Sequence, residues 1–158
     1  MTPVTFRTAL ASAALLLAAT PAAAAPLCTS PARACLERTV DAYFAGLLKG
    51  DGSAVPFAPD VRATEQETIA VTTRAGFLTE FKESGAIKDV RDRHYYTDEK
   101  SGDVTAFVLV DVRSVNGAKP FTVRRAQRFR VVKGMITQVE ILNYGSTSDQ
   151  PLWPANGK

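Results

Sequence analysis

The chain contains a single histidine, His94, inside the run Asp92-Arg93-His94-Tyr95-Tyr96. On a strand, side chains alternate between faces, so Asp92, His94 and Tyr96 share one side. An imidazole titrates near neutrality and can take a proton next to a carbonyl or a hydroxyl. Further along, Arg125 and Gln127 repeat the two-residue spacing. Arg125 can stabilise the negative charge that develops as a proton leaves. The same residue types also build ordinary strands: aromatic residues favour sheets, and Asp92 with Arg125 can form one structural ion pair.

Other chemistries lack their residues. One His and two Cys do not make a zinc site. The sequence has no G-x-S-x-G elbow, no phosphate-binding glycine loop and no G-x-G-x-x-G fingerprint. Neither a metal nor a nucleotide cofactor is implied. The formal net charge of +3 is too balanced to make nucleic acid or a membrane surface the main partner.

The N-terminus reads as a cleaved secretory signal over residues 1–24. Arg7 precedes an apolar run over residues 9–19, and a small-residue tract covers 22–25. The run is too short to span a bilayer. Its removal takes only Arg7 from the charged residues and leaves 134 of the 158 residues, enough for one domain with a core. The expected destination is the periplasm or the medium. Export makes a disulfide between Cys28 and Cys35 plausible. The alternative is a half-buried Cys35 and a separate Cys28. The spacing is not C-x-x-C, so redox catalysis is not expected.

Ser30-Pro31 opens a helix over residues 31–49, with Leu36, Val40, Tyr43, Phe44, Leu47 and Leu48 on one face and Gly50 ending it. Residues 60–65 suit a short strand. A second helix is expected over 74–83, capped by Thr73. Four long strands follow, over 87–97, 104–115, 119–132 and 135–144. Asn116-Gly117 and Gly134 mark turns between them. The domain spans residues 25–144, and residues 145–158 form a polar, Pro-containing tail expected to be flexible.

A two-residue turn at Asn116-Gly117 opposes Val108 to Arg125 and Ala106 to Gln127, which stand polar on a Val- and Phe-rich face. A turn ending at Gly134 brings Arg125 near Ile141 and Gln127 near Val139. A three-residue loop, Lys100-Ser101-Gly102, puts Asp92, His94 and Tyr96 on that dry face; a four-residue loop reverses their parity. The less charged set favours the first. The other face carries Phe107, Leu109, Asp111, Arg113, Arg124, Arg128 and Arg130. It reads either as a solvated, ion-paired surface or as a homodimer interface.

Helix, short strand, helix and long antiparallel strands make an α+β cone, a curved antiparallel sheet packed against N-terminal helices. At "AYFAGLLKGD" (42–51), "PFAPDVRATEQ" (56–66) and "RFRVVKGMITQVEI" (128–141) the chain resembles the nuclear transport factor 2-like superfamily. That superfamily includes SnoaL-like polyketide cyclases and ketosteroid isomerases. The resemblance implies roles for two more residues. Tyr43 matches the isomerases' oxyanion-donating helix tyrosine, and Glu65 holds the place of their catalytic aspartate. Their second oxyanion acid falls at Arg125 or Ala126, neither of which is an acid; this argues against steroid isomerisation. The expectation is a half-apolar pocket lined by Tyr43, Glu65, Asp92, His94, Tyr96, Arg125 and Gln127. It would take a small apolar molecule with a carbonyl or hydroxyl. Glu65, His94 and Tyr43 would be its catalytic groups, for isomerisation, dehydration or cyclisation. A ligand-binding module without catalysis is the alternative, since one fold hosts both.

Overall fold

A computed structural model describes residues 24–27, 29–114 and 119–144. Residues 1–23 of the signal segment, Cys28, the Asn116-Gly117 turn and the C-terminal tail lie outside the described residues.

Helix α1 (Arg33–Lys49) carries its apolar residues at helical spacing and buries Leu36, Val40, Tyr43, Phe44 and Leu47. Gly50, at φ 65°, turns its N–H back to the last-turn carbonyls and ends the helix. The start differs from the expected Ser30 cap. Ser30 Oγ accepts from the Ala32 N–H, and the Arg33 N–H instead donates to Glu99, 66 residues away, at 2.6 Å. The helix N-terminus is thus capped by a carboxylate from a distant loop.

Strand β1 (Phe57–Glu65) begins earlier than its sequence suggests, and β2 (Thr68–Val71) was not anticipated at all. The turn joining them places Gln66 and Glu67 at φ 49° and 65°. Gly and Asn, the usual residues for that conformation, are absent, so nothing flagged the hairpin. Helix α2 (Arg74–Glu83) is capped by the Thr73 hydroxyl, which accepts from the Gly76 N–H as expected. A short 3-10 turn (Ser84–Ala86) leads into β3 (Ile87–Asp98), β4 (Asp103–Val112), β5 (Phe121–Val132) and β6 (Met135–Tyr144).

The six strands form one curved, unclosed sheet in the order β2-β1-β6-β5-β4-β3. Only β1 and β6 run parallel. The helices cover one face, giving the expected mixed α+β cone. Between them lies an aromatic cluster. Tyr43 meets Phe129 edge-on at 4.9 Å and Phe81 at 5.1 Å, and Phe57 stacks on Phe77 at 4.5 Å.

The β4–β5 register is the expected one: Val108 opposes Arg125, and Ala106 opposes Gln127. Two neighbouring registers differ. Asp98 pairs with Asp103, so the β3–β4 loop has four residues, not three. Gly102 closes it at φ 76°, where a Cβ would collide with the Val131 carbonyl oxygen. On the other side, Val132 pairs with Met135 and a bulge follows Arg130. Arg125 therefore opposes Asn143 rather than Ile141, and Gln127 opposes Ile141.

Candidate functional site

A cavity of about 370 Å³ opens between the sheet and the helices. Its walls come from Leu47, Ala63, Val71, Phe77, Phe81, Ile87 and Ile141. Besides Glu80, Glu83 and Ser84 at the α2 side, three polar residues from three elements line it: Tyr43 from α1, Glu65 from the end of β1 and Arg125 from β5. A smaller hollow of about 200 Å³ beneath the N-terminal lead is lined by Ser30, Glu99, Lys100 and Lys133 among others, and Glu99 there is committed to capping α1.

The local sequence explains each position. Tyr43 sits on the apolar stripe of α1 and is 3% exposed. Five ring contacts hold its plane, and the residue forms part of the cavity wall. Burial raises its pKa above the usual 10.0; Arg125 and Gln127 oppose that shift, while Glu65 and Glu80 add to it. The phenol is therefore a neutral donor at physiological pH.

Glu65 shares the inner face with Val61 and Ala63. The next residue pins the strand end: the Gln66 N–H donates to the Ile141 carbonyl at 3.0 Å, and its side-chain amide to the Asn143 carbonyl at 2.9 Å. The carboxylate of Glu65 accepts from the Asn143 side-chain amide, and the Arg125 Nε–H donates to Asn143 Oδ1 at 2.8 Å. Asn143 thus ties the anion to the cation. Sequence reasoning missed it because the expected β5–β6 register put Ile141 opposite Arg125. The register moves by two residues, one from the two-residue Lys133-Gly134 turn and one from the bulge after Arg130.

Asp92, His94 and Tyr96 do not reach this cavity. With the four-residue loop, His94 opposes Phe107 and Tyr96 opposes Thr105, on the face away from the helices. A bulge with Asp92 at φ 53° lets its carboxylate meet His94 Nε2 at 2.8 Å. Tyr96 is 58% exposed and packs edge-on against Phe107. Tyr95 takes the inward direction instead and donates to Asp41 on α1 at 2.6 Å. The expected Asp92–Arg125 ion pair does not form, because the two stand on opposite faces.

The outer face is ion-paired. Arg91 pairs with Asp111 at 2.7 Å, Arg128 with Glu140 at 2.7 Å, and Arg130 with Asp103. Leu109 is fully buried there, while Leu142 and Tyr144 remain exposed.

Residues 29–142 match the family described as Domain of unknown function (DUF8021). The chain belongs to the DUF8021 family. Comparison with curated proteins returns no match. Among solved structures, this DUF8021 chain is similar to the epoxide hydrolase/cyclase-like enzyme SalBIII of pyran ring formation in salinomycin. That pair shows 13% identity and a TM-score of 0.63, covering 74% of this chain and 96% of the other. It is similar to an LEH-like epoxide hydrolase of M. tuberculosis, at 17% identity and TM-score 0.57, covering 69% and 82%. It is also similar to a de novo designed protein with a curved β-sheet, at 19% identity and TM-score 0.53, covering 72% and 88%. The DUF8021 domain therefore has the nuclear transport factor 2-like fold, whose structural neighbours include isomerase-, cyclase- and epoxide hydrolase-like enzymes. Among the described residues, no helix is long and apolar enough to cross a membrane.

Proposed function

We propose that this DUF8021 protein is a cofactor-independent acid–base enzyme acting on a small apolar molecule with a carbonyl or hydroxyl oxygen. The observation that carries the reading is that Tyr43 and the Asn143-anchored Glu65 line one largely apolar-walled cavity. Glu65 takes a proton from the carbon beside a carbonyl. The C–H electron pair moves into the carbonyl, and its oxygen gains charge. Tyr43 donates a hydrogen bond to that oxygen, and the Arg125 cation lies close enough to favour the charge. Return of the proton at another carbon gives isomerisation. Departure of a β-hydroxyl as water, with the proton from the Glu65 carboxyl, gives dehydration. Structural neighbours described as a putative isomerase, a putative polyketide cyclase and an LEH-like epoxide hydrolase support the reading.

The test is proton exchange in deuterated buffer with cyclohexanone, followed by proton NMR. The expected result is loss of the α-proton signal faster than in buffer alone, abolished by Glu65→Gln. Exchange no faster than buffer, although cyclohexanone binds, would sink the catalytic reading. The binding-module reading would then lead. One observation favours that module: His94, the single imidazole, stands outside the cavity.

The reading includes export through the 1–24 signal to the periplasm or medium, and a Cys28–Cys35 disulfide. Cys35 is buried on α1, and no free cysteine occurs among the described residues. Mass spectrometry of secreted protein, with and without reduction, tests both. It also includes a homodimer through the outer sheet face. There His94, Phe107, Ala126 and Leu142 form one cross-strand row, flanked by exposed Tyr96 and Tyr144. Leu142→Asp, not a change at buried Leu109, is the informative substitution. An unchanged mass in solution would remove the dimer.

A further inference from the structure

Three polar residues are fully or nearly fully buried in the described core: Thr39, Thr122 and Gln127. Thr39 donates to the Cys35 carbonyl and Thr122 to Asp111. Gln127 is 0% exposed, yet neither its Oε1 nor its Nε2 has a hydrogen-bond partner among the described residues. It stands on β5 between Arg125 and Phe129, opposite Ala106 and Ile141. A buried amide without partners destabilises a fold, and an apolar side chain of equal length would fill the space without that penalty.

The neighbours of Gln127 on that face flank Tyr43: the Phe129 ring lies 4.9 Å from the Tyr43 ring, and Arg125 and Ile141 line the cavity together with Tyr43. The amide lies close enough to the Tyr43 hydroxyl to favour its ionised form, but no hydrogen bond of ordinary geometry joins them. Gln127 is absent from the cavity wall, whereas Tyr43 is part of it. Any effect on a ligand is therefore indirect.

We infer that Gln127 is a positioning residue for Tyr43: its amide N–H closes onto the phenol oxygen when Tyr43 donates its own hydrogen to a ligand oxygen. The physical reason is charge. As the phenol O–H donates, its oxygen becomes more negative and a better acceptor, so the bond absent at rest strengthens in the occupied site. Gln127 thereby sharpens Tyr43 for oxygen ligands, a carbonyl above all, which extends the functional reading above and rests on it.

The test uses Gln127→Met in the full mature chain. The melting temperature should stay equal or rise, because an unpartnered amide is removed. A fall of several degrees would overturn the inference, since it would show the amide satisfied by the fold. Tyrosine ζ-carbon NMR against pH, which needs no ligand, should show Tyr43 ionising at higher pH in the variant. An unchanged titration would overturn it too. With carbonyl-labelled cyclohexanone as probe, Gln127→Met should weaken binding about tenfold in the wild-type background and less than about twofold in the Tyr43→Phe background. Equal losses in both backgrounds would mean that Gln127 only shapes the cavity. Cyclohexanone that ignores the wild-type cavity would overturn the functional reading instead, leaving the melting and titration results to judge Gln127.

Discussion

Arg125 on β5 and Asn143 on β6 face each other across the ladder, and the Arg125 Nε–H donates to Asn143 Oδ1 at 2.8 Å. This bond orients the amide. A guanidinium has only donors and an ionised carboxylate only acceptors. With its oxygen committed to Arg125, Asn143 must turn its NH2 toward Glu65, as it does. One neutral side chain thereby holds a base in the cavity without placing the cation directly upon it.

Asn143→Asp breaks that logic by setting a second carboxylate against Glu65. Like charges in contact force one carboxyl to hold its proton to higher pH. The pH–rate profile of cyclohexanone exchange should shift upward by about one unit or more. Glu65→Gln should reduce the exchange rate by about 10²- to 10⁴-fold at every pH. A profile indifferent to Asn143→Asp would mean that Glu65 is not the base.

Tyr43 serves packing through its ring and chemistry through its hydroxyl, and the two can be separated. Tyr43→Ala removes a ring from a cluster that includes Phe57, Phe81 and Phe129, and should destabilise the fold by about 3–5 kcal/mol. Tyr43→Phe keeps the ring and should change stability by less than about 1 kcal/mol, while abolishing the hydrogen bond to a ligand carbonyl. Urea unfolding and the carbonyl carbon shift of labelled cyclohexanone measure the two effects.

Glu80 and Glu83 on α2 stand exposed among the residues lining the cavity, with Glu65 deeper and Arg125 as their sole cationic neighbour in the lining. The excess negative charge should repel anionic ligands. Benzoate should bind more weakly than neutral benzaldehyde at low salt. The double change Glu80→Gln, Glu83→Gln should narrow that gap, and added salt should narrow it in the parent protein. Equal binding of both probes to the parent would remove the electrostatic filter.

Tyr95 ties β3 to α1 through Asp41. Burial, the hydrogen bond to Asp41 and that carboxylate's charge raise the Tyr95 pKa far above its ordinary value of 10.0. The folded state therefore retains a proton that the unfolded chain releases. The stabilisation is complete below pH 10 and is lost as pH rises above it. Melting temperature should fall steeply above pH 10. Tyr95→Phe should lessen that slope without abolishing it, because the Tyr43 pKa is raised in the same direction. A slope unchanged by the substitution would place the alkaline sensitivity elsewhere.

Much of the helical and strand layout was legible because it rests on short-range physics. The apolar stripe of α1, the Thr73 cap and the β4–β5 pairing follow from periodicity and hydrogen-bond chemistry within or next to each element. Tyr43, Glu65 and Arg125 line one cavity and Gln127 stands on the same sheet face outside that lining, since parity along a strand or face along a helix decides their direction. Three particulars were not legible. Glu99 caps a helix 66 residues away, a contact that exists only once the chain has folded. The β3–β4 loop has four residues rather than three, and this single count sent Asp92, His94 and Tyr96 to the opposite face. A two-residue turn at Lys133-Gly134 and a bulge after Arg130 together exchanged Ile141 for Asn143 beside Arg125. The sequence alone therefore determined the residue types able to do chemistry and the elements carrying them. The tertiary structure decided which of those residues meet, because a strand's period is two: a slip of one residue changes the face and a slip of two changes the partner.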